Sequence, residues 1–157
     1  MSKIIILDSG PLGMVTNPSA KSVQTQDCQQ WIRRLYQAGY TIAVPEIADY
    51  EVRRELLRSN RTKSIELLDQ LKLNMLYLPI TTQAIMSAAE LWAIARQTGQ
   101  ATADPKALDG DVILAAQVMD AFGSDSDAIV ATTNVAHINR FVRADLWQNI
   151  RPIHKLN

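Results

Sequence analysis

Short, mostly apolar runs alternate along the chain with longer stretches in which apolar side chains recur at helical spacing. The runs predict four strands, at residues 3–7, 41–44, 75–78 and 128–131. Runs with so few polar side chains are typical of parallel strands that are buried on both faces. The pattern therefore predicts a sheet that is covered by helices on both sides.

Helices are predicted between these strands, for example where Trp31, Ile32 and Leu35 follow helical spacing before a stop at Gly39. The predicted helices cover residues 22–38, 45 to about 59, 61–72, 81 to about 98, 109–122 and 135–141. Two breaks are predicted as a turn and a loop, at residues 8–11 and 99–108. The alternation predicts an α/β fold: one three-layer α/β/α domain over residues 1–157, with a central parallel sheet.

The composition narrows the functional classes. The 157 residues carry 16 Lys and Arg against 16 Asp and Glu, so no global positive field marks the chain as a nucleic-acid binder. The single Cys28 can form no internal disulfide, and we expect it to be a small buried apolar residue. No segment has the length and apolarity of a membrane span or signal peptide, so we expect a soluble, cytoplasmic protein.

Two predicted strands end in polar residues. Asp8 follows the first strand, and Thr132, Thr133 and Asn134 end the last one. Open parallel sheets bind ligands beyond the carboxyl ends of their strands, so these side chains are candidates for one shared site. Two other interpretations stay open. Asp8 could be a turn residue that binds its own backbone, and Asn134 or Thr133 could cap the following helix.

One acid lies on the apolar side of the helix predicted from residue 45. Glu51 comes four residues after Ile47 and three after Ala48, whereas Asp49 and Arg53 fall on the opposite side. An acid on a buried helix face needs a partner or a function. Two alternatives stay open. Glu51 could form an ion pair with Arg54 or Arg58, or Glu55, one turn further along, could be the acid at the site.

A second pair of acids, Asp109 and Asp111, stands at the predicted start of the helix at residues 109–122. A helix start favours negative charge, so a plain N-cap explains one of the two, but it does not require both. The other acid is a second candidate for the site at the ends of the strands.

Together, Asp8, Glu51, Asp111 and Asn134 would bring three or four oxygen ligands from distant parts of the chain. Mg²⁺ and Mn²⁺ take carboxylates with water and phosphate oxygens and need neither His nor Cys. Such an ion polarises a phosphoryl group and lowers the pKa of bound water. The chemistry that this set implies is phosphodiester hydrolysis.

A basic run starts two residues after Glu51 and could guide a phosphate backbone towards the metal: Arg53, Arg54, Arg58, Arg61 and Lys63. Arg140 and Arg143 could add to the same rim. A solvated helix face is the alternative. We expect His137 to order the rim rather than to bind metal, and His154 lies in the tail.

Competing phosphate-binding motifs do not occur in the sequence. The glycines at residues 10–13 lack the GxGxxG spacing of dinucleotide-binding folds, and no P-loop motif is present. A haloacid-dehalogenase-type phosphatase would carry a second Asp two residues after Asp8, where this chain has Gly10.

Four segments, taken in order, resemble the PIN-domain ribonucleases, and in particular the small VapC-type toxins of bacterial toxin–antitoxin pairs. Residues 4–12 resemble the family's first strand and Asp, and residues 44–51 its strand, proline, helix and Glu. Residues 111–116 resemble its Asp-x-x-Ile-x-Ala helix, and residues 129–141 its last strand, Thr-x-Asp or Asn, and trailing Phe. Each motif alone is weak, but their order and spacing together are fairly specific.

The resemblance implies that Asp8, Glu51 and Asp111 bind Mg²⁺ or Mn²⁺, while Thr132 and Asn134 orient water or the fourth acidic ligand. Many members carry Asp where this chain has Asn134. One negative charge less should weaken a second ion, so a one-metal mechanism is expected.

The family pattern also favours Asp111 for the site and leaves the N-cap to Asp109. It implies a homodimer that aligns two sites and a small antitoxin that blocks them, with Trp92 and the basic helix as candidate contact points. The leading hypothesis is a metal-dependent endoribonuclease that is the toxin of such a pair. The alternatives are a PIN-like module that binds RNA or protein without catalysis, which only Asn134 favours, and a small-molecule phosphatase.

Overall fold

Five parallel strands form one sheet in the computed structural model of the protein, which describes residues 3–99, 105–124 and 127–153. The strands are β1 (Ile4–Leu7), β2 (Thr41–Pro45), β3 (Leu76–Leu78), β4 (Ala128–Thr132) and β5 (Ala144–Leu146). Their order across the sheet is β3-β2-β1-β4-β5. The first strand of the chain therefore lies in the middle of the sheet and pairs with β2 on one side and β4 on the other.

Helices connect these strands, as the sequence predicts. They are α1 (Ser9–Val15), α2 (Val23–Gln37), α3 (Glu46–Arg58), α4 (Thr62–Asn74), α5 (Thr82–Gln97), α6 (Pro105–Phe122) and α7 (Val135–Ile138). The side chains of Ser22 and Thr81 cap α2 and α5 by accepting hydrogen bonds from backbone amides in the first turn.

Both faces of the sheet are buried under helices. Ile5 and Leu7 of β1 lie in a core cluster with Leu35 of α2, and Ile6 points to the opposite face, where it packs with Leu114 of α6. In a third cluster, α5 packs against α6 through alanines and other apolar side chains. The structure thus confirms the prediction of a three-layer α/β/α fold with a central parallel sheet.

The turn predicted at residues 8–11 is wrong, because α1 starts directly after Asp8. Pro11 is the third residue of this helix, where its missing amide hydrogen would have no partner in any case. Asp8 is the N-cap and accepts a hydrogen bond from the backbone N of Ser9. The polar end of β1 and the start of α1 are therefore the same residue.

The start predicted for the helix at residue 109 is also wrong. Here α6 begins at Pro105, which is a favourable first residue for a helix. Asp109 consequently lies in the second turn of α6 and is not its N-cap. Residues 100–104 of the predicted loop lie outside the described part of the chain.

Two differences occur near the end of the chain. The sequence pattern does not predict β5, because its three residues show no apolar run. The last helix, α7, ends at Ile138 rather than at residue 141. Asn139 follows α7, and its side-chain Oδ1 accepts a hydrogen bond from the backbone N of Ala144 over 3.2 Å. This local contact ties the end of α7 to the beginning of the edge strand.

Asp49 was expected on the polar side of α3, yet it is only 4% exposed. It binds Arg53 Nε over 2.9 Å and Lys72 Nζ over 2.8 Å, and the Tyr77 hydroxyl lies 3.2 Å away. Burial raises the pKa of Asp49, but the hydrogen bonds from Lys72 and Arg53 outweigh it and the net direction is downward. This network joins α3 to α4 and β3.

Cys28 is fully buried, as expected, and burial raises the pKa of its thiol to about 12. Among the described residues, no helix is both long and apolar enough to cross a lipid bilayer.

Candidate active site

A pocket of about 770 Å³ opens at the carboxyl edge of the sheet. Its walls come from the start of α1, the middle of α3, the first turns of α6 and the turn after β4. The polar residues and glycines that line it are Asp8, Ser9, Gly10, Tyr50, Glu51, Arg54, Asp109, Gly110, Asp111, Thr133 and Asn134. The structure therefore brings the four predicted ligands, Asp8, Glu51, Asp111 and Asn134, to one cavity.

Two hydrogen bonds hold the carboxylate of Asp8. The backbone N of Ser9 donates to Oδ1 and the hydroxyl of Thr132 donates to Oδ2, each over 2.7 Å. Thr132 is fully buried, and its oxygen in turn accepts a hydrogen bond from the backbone N of Asn134 over 2.9 Å. The fifth predicted site residue thus lies behind Asp8 and fixes the orientation of its side chain.

Glu51 reaches the pocket from α3. Burial raises the pKa of its carboxyl, the charges of Asp8 and Asp111 raise it further, and Arg54 opposes them. The rival Glu55 is exposed and pairs with Arg58 over 2.8 Å. Of these two acids on α3, Glu51 is the one that lines the pocket.

Asp111 reaches the pocket from α6 and is largely buried. Its side chain is 15% exposed, and its Oδ2 has no hydrogen-bond partner among the described residues. Burial and the charge of Asp8 raise the pKa of Asp111 to about 6, although Arg140 acts in the opposite direction. The Nδ1 atom of His137 lies 3.8 Å from Oδ2. Asp109 also lines the pocket, but it is exposed.

Asn134 occupies the N-cap position of α7, but its side chain makes no capping hydrogen bond. Its Nδ2 lies 2.8 Å from Nδ1 of His137 instead. The expectation that His137 orders the rim agrees with this contact, whereas the capping role considered for Asn134 does not. His154 lies outside the described residues.

Two pocket residues that the sequence analysis missed are glycines. A Cβ atom at Gly10 would lie 2.9 Å from Thr133 Oγ1, and one at Gly110 would lie 2.9 Å from Glu51 Oε1. Both distances are shorter than any ordinary contact, so the absence of a side chain lets the neighbouring polar groups approach. The available signal was a glycine beside an acid in a helical pattern, where Gly is disfavoured by about 1 kcal/mol relative to Ala.

The predicted RNA-binding arginines separate into two groups. Arg54 lines the pocket, and its guanidinium lies 5.2 Å from the ring centre of Tyr50. Arg140 is close enough to influence Asp111 and donates from Nε to the carbonyl oxygen of His137. Arg140 is not itself a lining residue of the pocket. Arg53 and Arg58 do not line it either, and they are held in ion pairs, Arg53 with Asp49 and Asp69 and Arg58 with Glu55.

No group of three or more His, Cys, Asp or Glu side chains in the described residues is placed so that it could hold a metal ion. Mg²⁺ does not require one, since it usually keeps several waters and binds through one or two carboxylates plus substrate phosphates. Two carboxyl groups with raised pKa values and the unpartnered Oδ2 of Asp111 fit a hard divalent cation. The chemistry of these donors is therefore suited to such an ion.

Fold and site together define a three-layer α/β domain with an acidic pocket beyond the central strands of a parallel sheet. Solved structures share this fold. VapBC2 from Rickettsia felis bound to a DNA fragment from its promoter matches at 15% identity and a TM-score of 0.66, over 92% of this chain and 98% of the other. FitAcB from Neisseria gonorrhoeae matches at 18% identity and a TM-score of 0.66, over 93% of this chain and 99% of the other. DNA-bound VapBC from Salmonella typhimurium matches at 15% identity and a TM-score of 0.64, over 94% of this chain and 99% of the other.

No family sequence profile and no curated protein matches the chain. At 15% to 18% identity, the structural likeness establishes the fold alone. It confirms the predicted resemblance to VapC-type toxins at that level, and the roles of the individual site residues remain predictions.

We expect Asp111→Asn to stabilise the metal-free protein at pH 7 by roughly 1 to 3 kcal/mol, because the wild-type carboxyl has a pKa raised from 3.8 to about 6. The folded protein binds this proton more tightly than the unfolded chain does. The loss of folding stability caused by the charged Asp111 carboxylate is therefore absent below pH 3.8, grows as the pH rises and is complete above about 6.

Urea unfolding in EDTA at several pH values measures this difference. The matched control is Asp109→Asn, since Asp109 is exposed and its replacement should leave stability nearly unchanged. An Asp111→Asn variant that is less stable than the wild type at pH 7 would contradict the prediction.

Proposed function

We propose that this protein is a metal-dependent endoribonuclease and the toxin of a toxin–antitoxin pair. The observation that carries the proposal is the convergence of Asp8, Glu51 and Asp111 on one pocket beyond the carboxyl ends of parallel strands. The fold is shared with chains of the VapBC and FitAcB complexes, which supports the toxin part of the proposal.

Asp8, Glu51 and Asp111 would hold one Mg²⁺ or Mn²⁺ ion, in part through water molecules, since no three acids of the described chain are placed to hold an ion directly. When bound, the ion would polarise the phosphoryl group and activate water. Ser9 and Thr132 keep Asp8 in place before any ion arrives, so this ligand needs little reorganisation. The buried Oδ2 of Asp111 makes no hydrogen bond to the described residues, so none has to break when an ion binds there.

The chain offers an amide rather than a fourth acid at Asn134. This amide contributes no charge, and its Nδ2 already lies beside His137. The three negative charges of the carboxylates balance the charge of one divalent ion better than the charge of two ions, so we assign the site one ion.

RNA would enter along the side of the pocket formed by α3. Arg54 is exposed there beside Glu51, whereas Arg53 and Arg58 are neutralised by acids of their own. With a net charge of zero, the chain carries no overall positive field, so a local phosphate contact at Arg54 gains importance.

We expect Asp8→Asn to lower the cleavage of single-stranded RNA by more than about 100-fold, because one ligand charge is lost. The wild type should cut a labelled RNA in Mg²⁺ or Mn²⁺ and not in EDTA. Circular dichroism should show the same fold for both proteins, since Asn is also a good N-cap for α1.

The Asp8→Asn protein, prepared in the same way, excludes a contaminating nuclease. The matched control that should keep its activity is Glu66→Gln, since Glu66 is an exposed acid on α4 and does not line the pocket. Cleavage by Asp8→Asn at the wild-type rate would contradict the proposed site. Turnover of phosphomonoesters without cleavage of RNA would indicate a small-molecule phosphatase instead.

The contribution of Arg54 can be separated from general basicity. Arg54→Ala should raise KM several-fold with little change in kcat, and should reduce the slope of log affinity against log salt by about 0.7, the value for one phosphate of a single strand. Arg58→Ala removes the same charge from a side chain that is already paired with Glu55. Equal effects of the two variants would rule out a specific contact at Arg54.

A protein that blocks the toxin is part of the proposal, since the similar structures are complexes of the VapBC and FitAcB type. Expression of the wild-type chain in the bacterial cytoplasm should arrest growth, whereas expression of Asp8→Asn should not. A co-expressed antitoxin should restore growth. Accumulation of wild-type protein without any effect on growth would argue against a toxin.

We further propose a homodimer through α5. Ile85 is 44% and Trp92 37% exposed, and both line an apolar groove of about 310 Å³ between α5 and α6. Asp109 and Ile113 line both this groove and the acidic pocket, so a second copy seated here would bring two sites together.

Light scattering should therefore give the mass of two chains of 17.5 kDa each. Ile85→Glu should shift the protein to the monomer, because the substitution places a charge in an apolar contact. The matched control is Val23→Glu, since Val23 is 71% exposed and lies on α2 instead. A wild type that stays monomeric at high concentration would refute the dimer.

A second candidate function is a PIN-like module that binds RNA or protein without catalysis. Asn134 favours it, because the amide replaces a ligand charge. RNA binding that needs no metal, with no cleavage at any Mg²⁺ or Mn²⁺ concentration, would select this function over the nuclease.

A further inference from the structure

Gly110 lies inside α6, where a glycine is unfavourable unless something else requires it. The backbone gives no such reason, since the glycines of the described chain that have positive φ values are Gly39, Gly99 and Gly123. An alanine would fit the helical conformation and would reduce the conformational entropy of the unfolded chain. The reason for a glycine at this position must therefore lie in the space beside it.

That space is filled by the side chain of Glu51. A Cβ atom on Gly110 would lie 2.9 Å from Oε1 and 3.6 Å from Cδ of Glu51. The first distance is too short for a carbon and an oxygen atom that share no bond. The carboxylate that reaches the pocket from α3 thus occupies the volume that any other residue at position 110 would need.

We propose that Gly110 is a positioning residue, whose missing side chain lets the carboxylate of Glu51 lie in the pocket beside Asp8 and Asp111. This inference rests on the proposed nuclease function. A side chain at position 110 displaces Glu51 rather than α6, because the atoms it meets are the far end of a flexible side chain. The variant therefore folds, and what it loses is the geometry of one ligand.

Gly13 provides a matched control. It also lies inside a helix, α1, and an added Cβ would meet only Cγ2 of Val52, at an ordinary distance of 4.0 Å. Gly13→Ala and Gly110→Ala should each raise Tm by about 2 to 4 °C through helix propensity. Gly110→Ala alone should lower the rate of RNA cleavage by roughly 10- to 100-fold, since small misplacements of catalytic groups have effects of this size.

Calorimetric titration with Mn²⁺ gives a readout besides activity. Gly110→Ala should bind Mn²⁺ at least about tenfold more weakly than the wild type, and Gly13→Ala should bind it equally well. A destabilised helix cannot explain such a loss if Tm rises at the same time.

Rescue by a shorter acid separates positioning from a general effect. Glu51→Asp should lower cleavage in the wild-type background, because its carboxylate no longer reaches the pocket fully. In the Gly110→Ala background the same change should raise cleavage, since removal of one methylene relieves the clash with the new Cβ. Equal losses in both backgrounds would overturn the inference.

The remaining outcomes are also decisive. If the wild type binds Mn²⁺ and cuts RNA and Gly110→Ala does so equally well, Gly110 is not a positioning residue, although the proposed function stands. If the wild type neither binds nor cuts, the proposed function fails, and a crystal structure of Gly110→Ala decides the inference. A Glu51 carboxylate that keeps its place in that structure overturns it, and a displaced one supports it.

Discussion

The pairing of β1 with β4 is the constraint on which the site depends. Leu7 is in register with Ala131, and the backbone N of Asp8 continues the ladder by donating to the carbonyl oxygen of Ala131. This pairing brings Asp8 and Thr132 together although 124 residues separate them. The helices then add their acids to an edge that the sheet has already defined, Glu51 from α3 and Asp111 from α6.

The acids of the pocket lower the stability of the metal-free fold. Glu51 and Asp111 are partly buried, and each feels the charge of Asp8, which is why the pKa of both carboxyl groups is raised. Elsewhere the chain treats a buried acid differently, since Asp49 has two cations and a net lowering of its pKa. The contrast distinguishes a structural acid, which is fully paired, from the pocket acids, which keep binding capacity.

Much of this arrangement could be predicted, because buried strands and the polar residues at their ends are strong local signals. The three-layer fold and the position of Asp8 follow from them. The helical spacing around Glu51 and the family pattern around Asp111 supplied the other two acids. The start of α6 at Pro105, the helix after Asp8 and the burial of Asp49 depend on contacts that no local pattern contains. Helical periodicity placed Asp49 on the solvent side, because the spacing within α3 contains no information about Lys72, which reaches Asp49 from α4. The role of Gly110 was hidden for the same reason.

The hydrogen bonds of Asp8 leave it free to serve two purposes. Each carboxylate oxygen has two lone pairs, and the described contacts use one on Oδ1 for Ser9 and one on Oδ2 for Thr132. Capping α1 and holding β4 thus use only half of its acceptor capacity. A ligand bound to the remaining half would leave the helix start and the contact with β4 intact. Binding at this carboxylate would therefore be mechanically uncoupled from the integrity of the fold.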